Sequence, residues 1–145
     1  MKDLLYLKDE QLKDLIEKLF IVYRDTFTDP KKILNKYSIG TAHHKVIHLI
    51  STYEGISISE LLKKLKITKQ SLNRVLKDLT KLDIIKFKKG EQDTRIKHVY
   101  LNEKGEKIFL EIFETQKKRI YNALLKSSSD EVVNFDKVLK KIING

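Results

Sequence analysis

Residues 57–101, SISELLKKLKITKQSLNRVLKDLTKLDIIKFKKGEQDTRIKHVYL, decide the fold, because their capping and turn chemistry divides them into two helices and a hairpin. Ser57 and Glu60 have the S-x-x-E spacing of a capping box, in which each side chain satisfies a backbone N–H that the first helical turn leaves free. Leu61, Leu62 and Leu65 follow and make a short helix. Lys66 and Ile67 form the turn, and Thr68 is placed to cap a second helix that reaches about residue 82. Two helices joined this tightly have the spacing of a helix-turn-helix. Beyond them, residues 84–89 and 96–101 are β-branched or aromatic runs on either side of GEQDTR, and they are expected to pair as two strands of a hairpin.

The same stretch holds most of the charge. Residues 61–100 contain 12 Lys and Arg against 4 Asp and Glu, so 8 of the chain's 10 net positive charges lie there. The other 105 residues are nearly balanced, with 18 basic and 16 acidic. Neutralising phosphates releases condensed counterions, so positive charge gathered on one structural unit points to a nucleic acid. Of the 30 basic residues only Arg24, Arg74, Arg95 and Arg119 are arginine. An AT-rich genome also yields a lysine excess, so the placement of charge carries more weight than its total.

Placement separates a groove-facing helix from a basic wing. In the second helix Leu72, Val75, Leu76 and Leu79 recur at i, i+3, i+4 and i+7 and form a buried stripe. The opposite stripe is Gln70, Asn73, Arg74 and Lys77, with Lys69, Ser71 and the cap Thr68 at the N-terminus. Long donors and amides of this kind pair with purine edges in a major groove and with phosphates. The competing reading of such a stripe is a solvated helix face. In the hairpin, Lys86, Lys88, Lys89 and Lys97 carry charge along the strands and Arg95 lies near the tip. Arginine there suits a narrow minor groove, where the negative potential is enhanced. Asp93, two residues earlier, can brace the guanidinium through charge-assisted hydrogen bonds, the plainer alternative being a turn-stabilising Asp.

The remaining chain reads as helices around this unit. Leu12, Leu15, Ile16, Leu19 and Phe20 give residues 8–27 an amphipathic helix, expected to fray after Asp25, and Pro30 starts a connecting segment. Residues 40–53 form a helix with Ala42, Val46, Ile47, Leu49 and Ile50 on a broad apolar face. Asn102 caps a long helix to about residue 126. Ser128 and Glu131 repeat the capping box and open a last helix carrying Val132, Phe135, Leu139, Ile142 and Ile143. The fold expected is mainly α with a small β-wing, in one unit over residues 1–145, because this length suits a single domain.

Several classes of function are disfavoured. The chain has no Cys, which excludes disulfides and thiolate metal sites. Its few glycines leave no phosphate-cradling loop, and no nucleophile-elbow or zincin motif occurs, so neither an enzyme nor a cofactor is expected. The longest apolar run, residues 19–23, is far short of the roughly 18 residues of a membrane span. Acidic residues near the N-terminus do not fit a signal peptide, and a cytoplasmic location is expected. One cluster stays open: His43, His44 and His48. They are read either as structural or interface histidines or as contacts to an effector, and no metal is assigned because no carboxylate lies within HHKVIH.

The order of helix, turn, recognition helix and hairpin, with DTRIKHVYLNEKG combining Asp93-x-Arg95, Val99-x-Leu101 and Gly105, resembles the MarR family of bacterial winged-helix regulators over essentially the whole chain. AHHKVIH and ITKQSLNRVL resemble its PetP-type branch. Asn102 stands where the family usually has Thr and caps a helix equally well. The resemblance implies an obligate homodimer, with residues 1–36 and 103–145 supplying intertwined dimerisation helices and residues 40–102 the winged helix-turn-helix. It also implies an effector pocket between those two parts, close to the histidine helix. A sequence-specific regulator of a pseudo-palindromic duplex is therefore expected, most simply a repressor released by a small-molecule effector. The alternative is a winged-helix interaction module whose basic face meets an acidic partner.

Overall fold

Leu72 and Leu79 are completely buried, and the stripe they share with Val75 and Leu76 is the base on which the other elements are laid. The computed structural model describes residues 4–145, so the first three residues of the predicted N-terminal segment lie outside it. After a 3-10 turn at Leu5–Leu7, the helices are α1 (Asp9–Thr28), α2 (Lys31–Lys36), α3 (Thr41–Thr52), α4 (Ile58–Leu65), α5 (Lys69–Lys81), α6 (Glu103–Leu125) and α7 (Ser129–Asn144). The strands are β1 (Ile56–Ser57), β2 (Ile85–Lys89) and β3 (Lys97–Leu101).

The predicted caps are formed. Glu60 N–H donates to Ser57 Oγ at 3.1 Å and Ser57 N–H donates to Glu60 Oε1 at 3.3 Å, which starts α4. Lys66, at φ 52°, turns left-handed and closes that helix with its N–H on the Leu62 carbonyl. Ser71 N–H then donates to Thr68 Oγ1 at 3.1 Å and starts α5. Ser128 opens α7 in the same reciprocal way with Glu131.

The wing has three strands in the antiparallel order β1-β3-β2, where the sequence predicts two. Ile56 pairs with Val99 and Ser57 with His98. A two-residue strand shows no alternation, and Ser57 already serves as a helix cap, so β1 leaves no signal of its own. Asn102 N–H donates to the Ile84 carbonyl at 3.0 Å, and a Cβ on Gly105 would stand 2.1 Å from that same oxygen. Glycine is needed there because α6 enters directly against the start of β2.

Three further expectations change. α1 does not fray after Asp25 but continues to Thr28, because α6 holds its last turn. Arg119 Nε and Nη2 donate to Asp29 at 2.7 and 3.0 Å, and the Gln116 amide donates to the Thr26 carbonyl at 3.0 Å. The segment after Pro30 is the helix α2, which places Leu34 in the core. On α3, Val46, Ile47 and Ile50 are buried as expected, whereas Ala42 is exposed and His44 occupies a core position. Ile108 and Ile112 of α6 complete the core.

The outer helices remain largely uncovered. α1 and α7 bury no residue, and Ile16, Leu125 and Ile143 are 62%, 72% and 78% exposed. Among the described residues no helix is long and apolar enough to cross a membrane.

Candidate nucleic-acid interface

α5 presents Lys69, Gln70, Asn73, Arg74 and Lys77 to solvent, opposite its buried leucines. None of these five side chains has a hydrogen-bond or ion-pair partner among the described residues. Their donors are therefore free for an external acceptor. Thr68 and Ser71 differ, since Thr68 Oγ1 donates to Ser71 Oγ at 2.8 Å while it caps the helix. These two hydroxyls set where the helix starts.

The wing lysines divide between two faces. The register pairs Lys86 with Tyr100 and Lys88 with His98, which puts both lysines on one face, with Lys88 Nζ 5.2 Å from the centre of the Tyr100 ring. On the other face Lys89 stands directly opposite Lys97. Like charges facing each other across a ladder destabilise it unless an anion lies between them. An external phosphate would relieve that repulsion.

At the tip, Gly90 N–H donates to the Ile96 carbonyl at 2.8 Å and Ile96 N–H to the Asp93 carbonyl at 3.1 Å. A Cβ on Gly90 would lie 2.5 Å from the Asp93 carbonyl oxygen, so this tight closure requires glycine. Arg95 Nε and Nη2 each lie 3.0 Å from a carboxylate oxygen of Asp93, and the Arg95 backbone N–H donates to Oδ1 at 3.0 Å. The Arg95 guanidinium, followed by its N–H, holds the Asp93 carboxyl below the usual range. This bidentate pair fixes the guanidinium plane although the Arg95 side chain is 89% exposed.

The three histidines of α3 do not form one cluster. His43 leaves the cavity side altogether, accepting from Gly40 N–H on Nδ1 at 3.1 Å and placing Nε2 3.0 Å from Asp78 of α5. His44 is fully buried, its ring 5.5 Å from that of Phe27, and neither of its nitrogens makes a hydrogen bond among the described residues. Burial, reinforced by nearby His48, pushes its pKa down to about 4. Only His48 lines a cavity of about 610 Å³ bounded by α1, α3, α4 and α6. Burial also lowers the His48 pKa. Among the described residues no three His, Cys, Asp or Glu side chains converge as a metal site.

Three cavity lysines escaped the sequence reading. Lys45, Lys64 and Lys117 come from α3, α4 and α6, and each rests on an aromatic ring: Tyr23 at 4.7 Å, Tyr53 at 4.2 Å and Phe113 at 5.4 Å. Among the described residues no acidic side chain lines that space. Lysines on three separate helices leave no common motif, so packing alone brings them together.

Residues 37–96, which run from just before α3 through the helix-turn-helix to the wing tip and stop before β3, match the sequence model of the MarR family. Over 141 residues the chain is 38% identical to the HTH-type transcriptional regulator PetP of Rhodobacter capsulatus, covering 97% of this chain and 85% of that protein. Among solved structures, Staphylococcus aureus MarR in complex with salicylate and kanamycin superimposes with a TM-score of 0.74 at 20% identity, covering 92% of this chain and 91% of that one. A mutant of S. aureus MepR bound to an oligodeoxyribonucleotide gives 0.61 at 17% identity, covering 89% and 96%. The two structures establish a shared fold, and the 38% identity to PetP holds over an alignment that covers 97% of this chain: the chain belongs to the MarR family of DNA-binding transcriptional regulators.

Proposed function

We propose that the protein is a homodimeric repressor that binds a pseudo-palindromic operator, with its two half-sites about one helical turn apart. In this reading Gln70, Asn73 and Arg74 read base edges in the major groove, and Lys69 and Lys77 contact phosphates. Thr68 and Ser71 set the start of the helix, and Arg95 enters the minor groove. The observation that carries the reading is the Asp93–Arg95 pair, which spends a carboxylate on holding an almost fully exposed guanidinium at the wing tip. Lys86, Lys88, Lys89 and Lys97 add phosphate contacts along the wing.

The exposed apolar side chains of α1, the end of α6 and α7 support a dimer built from residues 1–36 and 103–145, with residues 40–102 as the DNA-binding part. A dimer supplies the two-fold symmetry that a palindromic operator mirrors. The cavity supports release by an effector, because it lies against both α3 of the DNA-binding part and α6 of the dimerisation part. Its apolar walls, with Lys45 and Lys64, favour an organic anion with an apolar body, whereas Lys117 is already paired with Glu114 at 2.8 Å. Acting on duplex DNA, the protein works in the cytoplasm.

Selection of bound sequences from random duplexes, with the mass of the protein measured in parallel, tests the proposal. Enrichment of an inverted repeat bound by two chains supports it. Binding without palindromic enrichment would favour a module that meets an acidic protein partner through its basic face.

A further inference from the structure

α3 and α5 are joined by one hydrogen bond among the described residues, from His43 to Asp78. Gly40 N–H donates to His43 Nδ1, so that nitrogen is an acceptor and the ring proton sits on Nε2. Nε2–H then donates to Asp78 Oδ2 at 3.0 Å. Asp78 lies one helical turn beyond Arg74, at the i, i+4 spacing where an acid and a base on one helix ordinarily pair. They do not pair here, and Arg74 has no partner among the described residues.

We infer that His43 is a positioning residue for DNA binding: it holds the Asp78 carboxylate against α3 and so keeps that negative charge off the reading stripe of α5, leaving Arg74 free. This rests on the assignment of α5 as the helix that reads the major groove. Asp78 is the acidic member of an otherwise basic helix, and its side chain is about half exposed. Released from His43, the carboxylate would neutralise Arg74 within the helix or stand near incoming phosphates, and either outcome lowers affinity. His43 achieves this from 35 positions away in sequence without touching DNA itself.

Removing the carboxylate separates this role from that of a mere tether between two helices. Binding to a duplex selected from a random-sequence library is measured for full-length Arg74→Ala, His43→Ala, His43→Gln, Asp78→Ala and the double variant His43→Ala/Asp78→Ala, with a thermal melt of each. Arg74→Ala should bind more weakly; if it does not, the groove-reading assignment of α5 falls. Given that loss, His43→Ala should weaken binding roughly fivefold or more. His43→Gln, whose amide can still donate to Asp78, should remain near wild type. Asp78→Ala alone and the double variant should bind at least as tightly as wild type, since the charge to be held is gone. Unchanged binding by His43→Ala, or a double variant as weak as His43→Ala, would overturn the inference and leave α5 reading DNA by itself. Should His43→Ala fail to fold, weaker binding by Asp78→Ala would overturn it equally.

Discussion

Replacing His44 by Leu should make the protein far less sensitive to mild acid. His44 is completely enclosed, its two ring nitrogens make no hydrogen bond among the described residues, and burial followed by the proximity of His48 brings its pKa down from 6.5 to about 4. In the unfolded chain the ring takes up its proton near the ordinary value, so between these two pKa values the unfolded state binds more protons than the folded one. Stability is therefore lost as pH falls below about 6.5 and levels off near 4. From about pH 7 to about pH 5 the loss due to this residue is about 2 kcal/mol, because each unit of difference is about 1.4 kcal/mol. Asp29, Asp93, Glu111 and Glu131 have lowered pKa values, so their contributions fade only at lower pH and do not obscure that window. His48 shifts in the same direction and stays present in the variant. Leu also removes two buried unpaired nitrogens, so His44→Leu should be no less stable than wild type near neutral pH. Urea unfolding followed by circular dichroism, at fixed protein concentration and several pH values, gives both curves. Parallel pH dependence of wild type and His44→Leu would refute the reasoning.

Three further outcomes are expected. Gly105→Ala should destabilise the fold by roughly 2 kcal/mol or more, the upper range of overpacking, because its methyl group meets the Ile84 carbonyl at 2.1 Å; the urea midpoint measures this. Arg95→Ala should weaken operator binding roughly tenfold or more, the loss of a good groove contact, and Asp93→Asn should lose part of that affinity while non-specific binding stays level or rises. An unchanged dissociation constant for Arg95→Ala on the selected operator would remove the wing from the reading of DNA. Lys89→Gln and Lys97→Gln should each lower the slope of log affinity against log salt by about one, as expected for one phosphate contact apiece; titration across a range of salt concentrations shows whether the slope moves.

Local chemistry made the centre of the chain legible. Ser57, Thr68, Asn102 and Ser128 each bond a backbone N–H within three residues, so their caps are written in adjacent sequence and appear where the spacing places them. The stripe of α5 was readable for the same reason, since helical periodicity alone decides which of its residues face the core. What escaped depends on distant partners. The last turn of α1 is held by Arg119 and Gln116 from α6, α2 is anchored by Leu34 in a core built from other elements, and β1 exists only because Val99 and His98 pair with it. None of these contacts has a signature in the segment that it stabilises.

The histidines show why adjacency in sequence misleads on a helix. Successive residues point about 100° apart, so His43, His44 and Lys45 leave α3 in three directions: toward Asp78 of α5, into the core beside Phe27, and toward the cavity. The sequence groups His43, His44 and His48 as one cluster, and the helix disperses it. This dispersal also gives α3 its mechanical meaning. A helix of 12 residues moves as a stiff rod, and the same rod presents Lys45, His48 and Leu49 to the cavity and His43 to α5. A ligand that rolls or shifts α3 by bearing on its cavity side must also displace His43 relative to Asp78. A hydrogen bond near 3 Å tolerates little of that before it breaks. Under the proposed function, coupling between cavity and DNA would require no long chain of contacts, because Lys45, His48 and His43 all sit on α3.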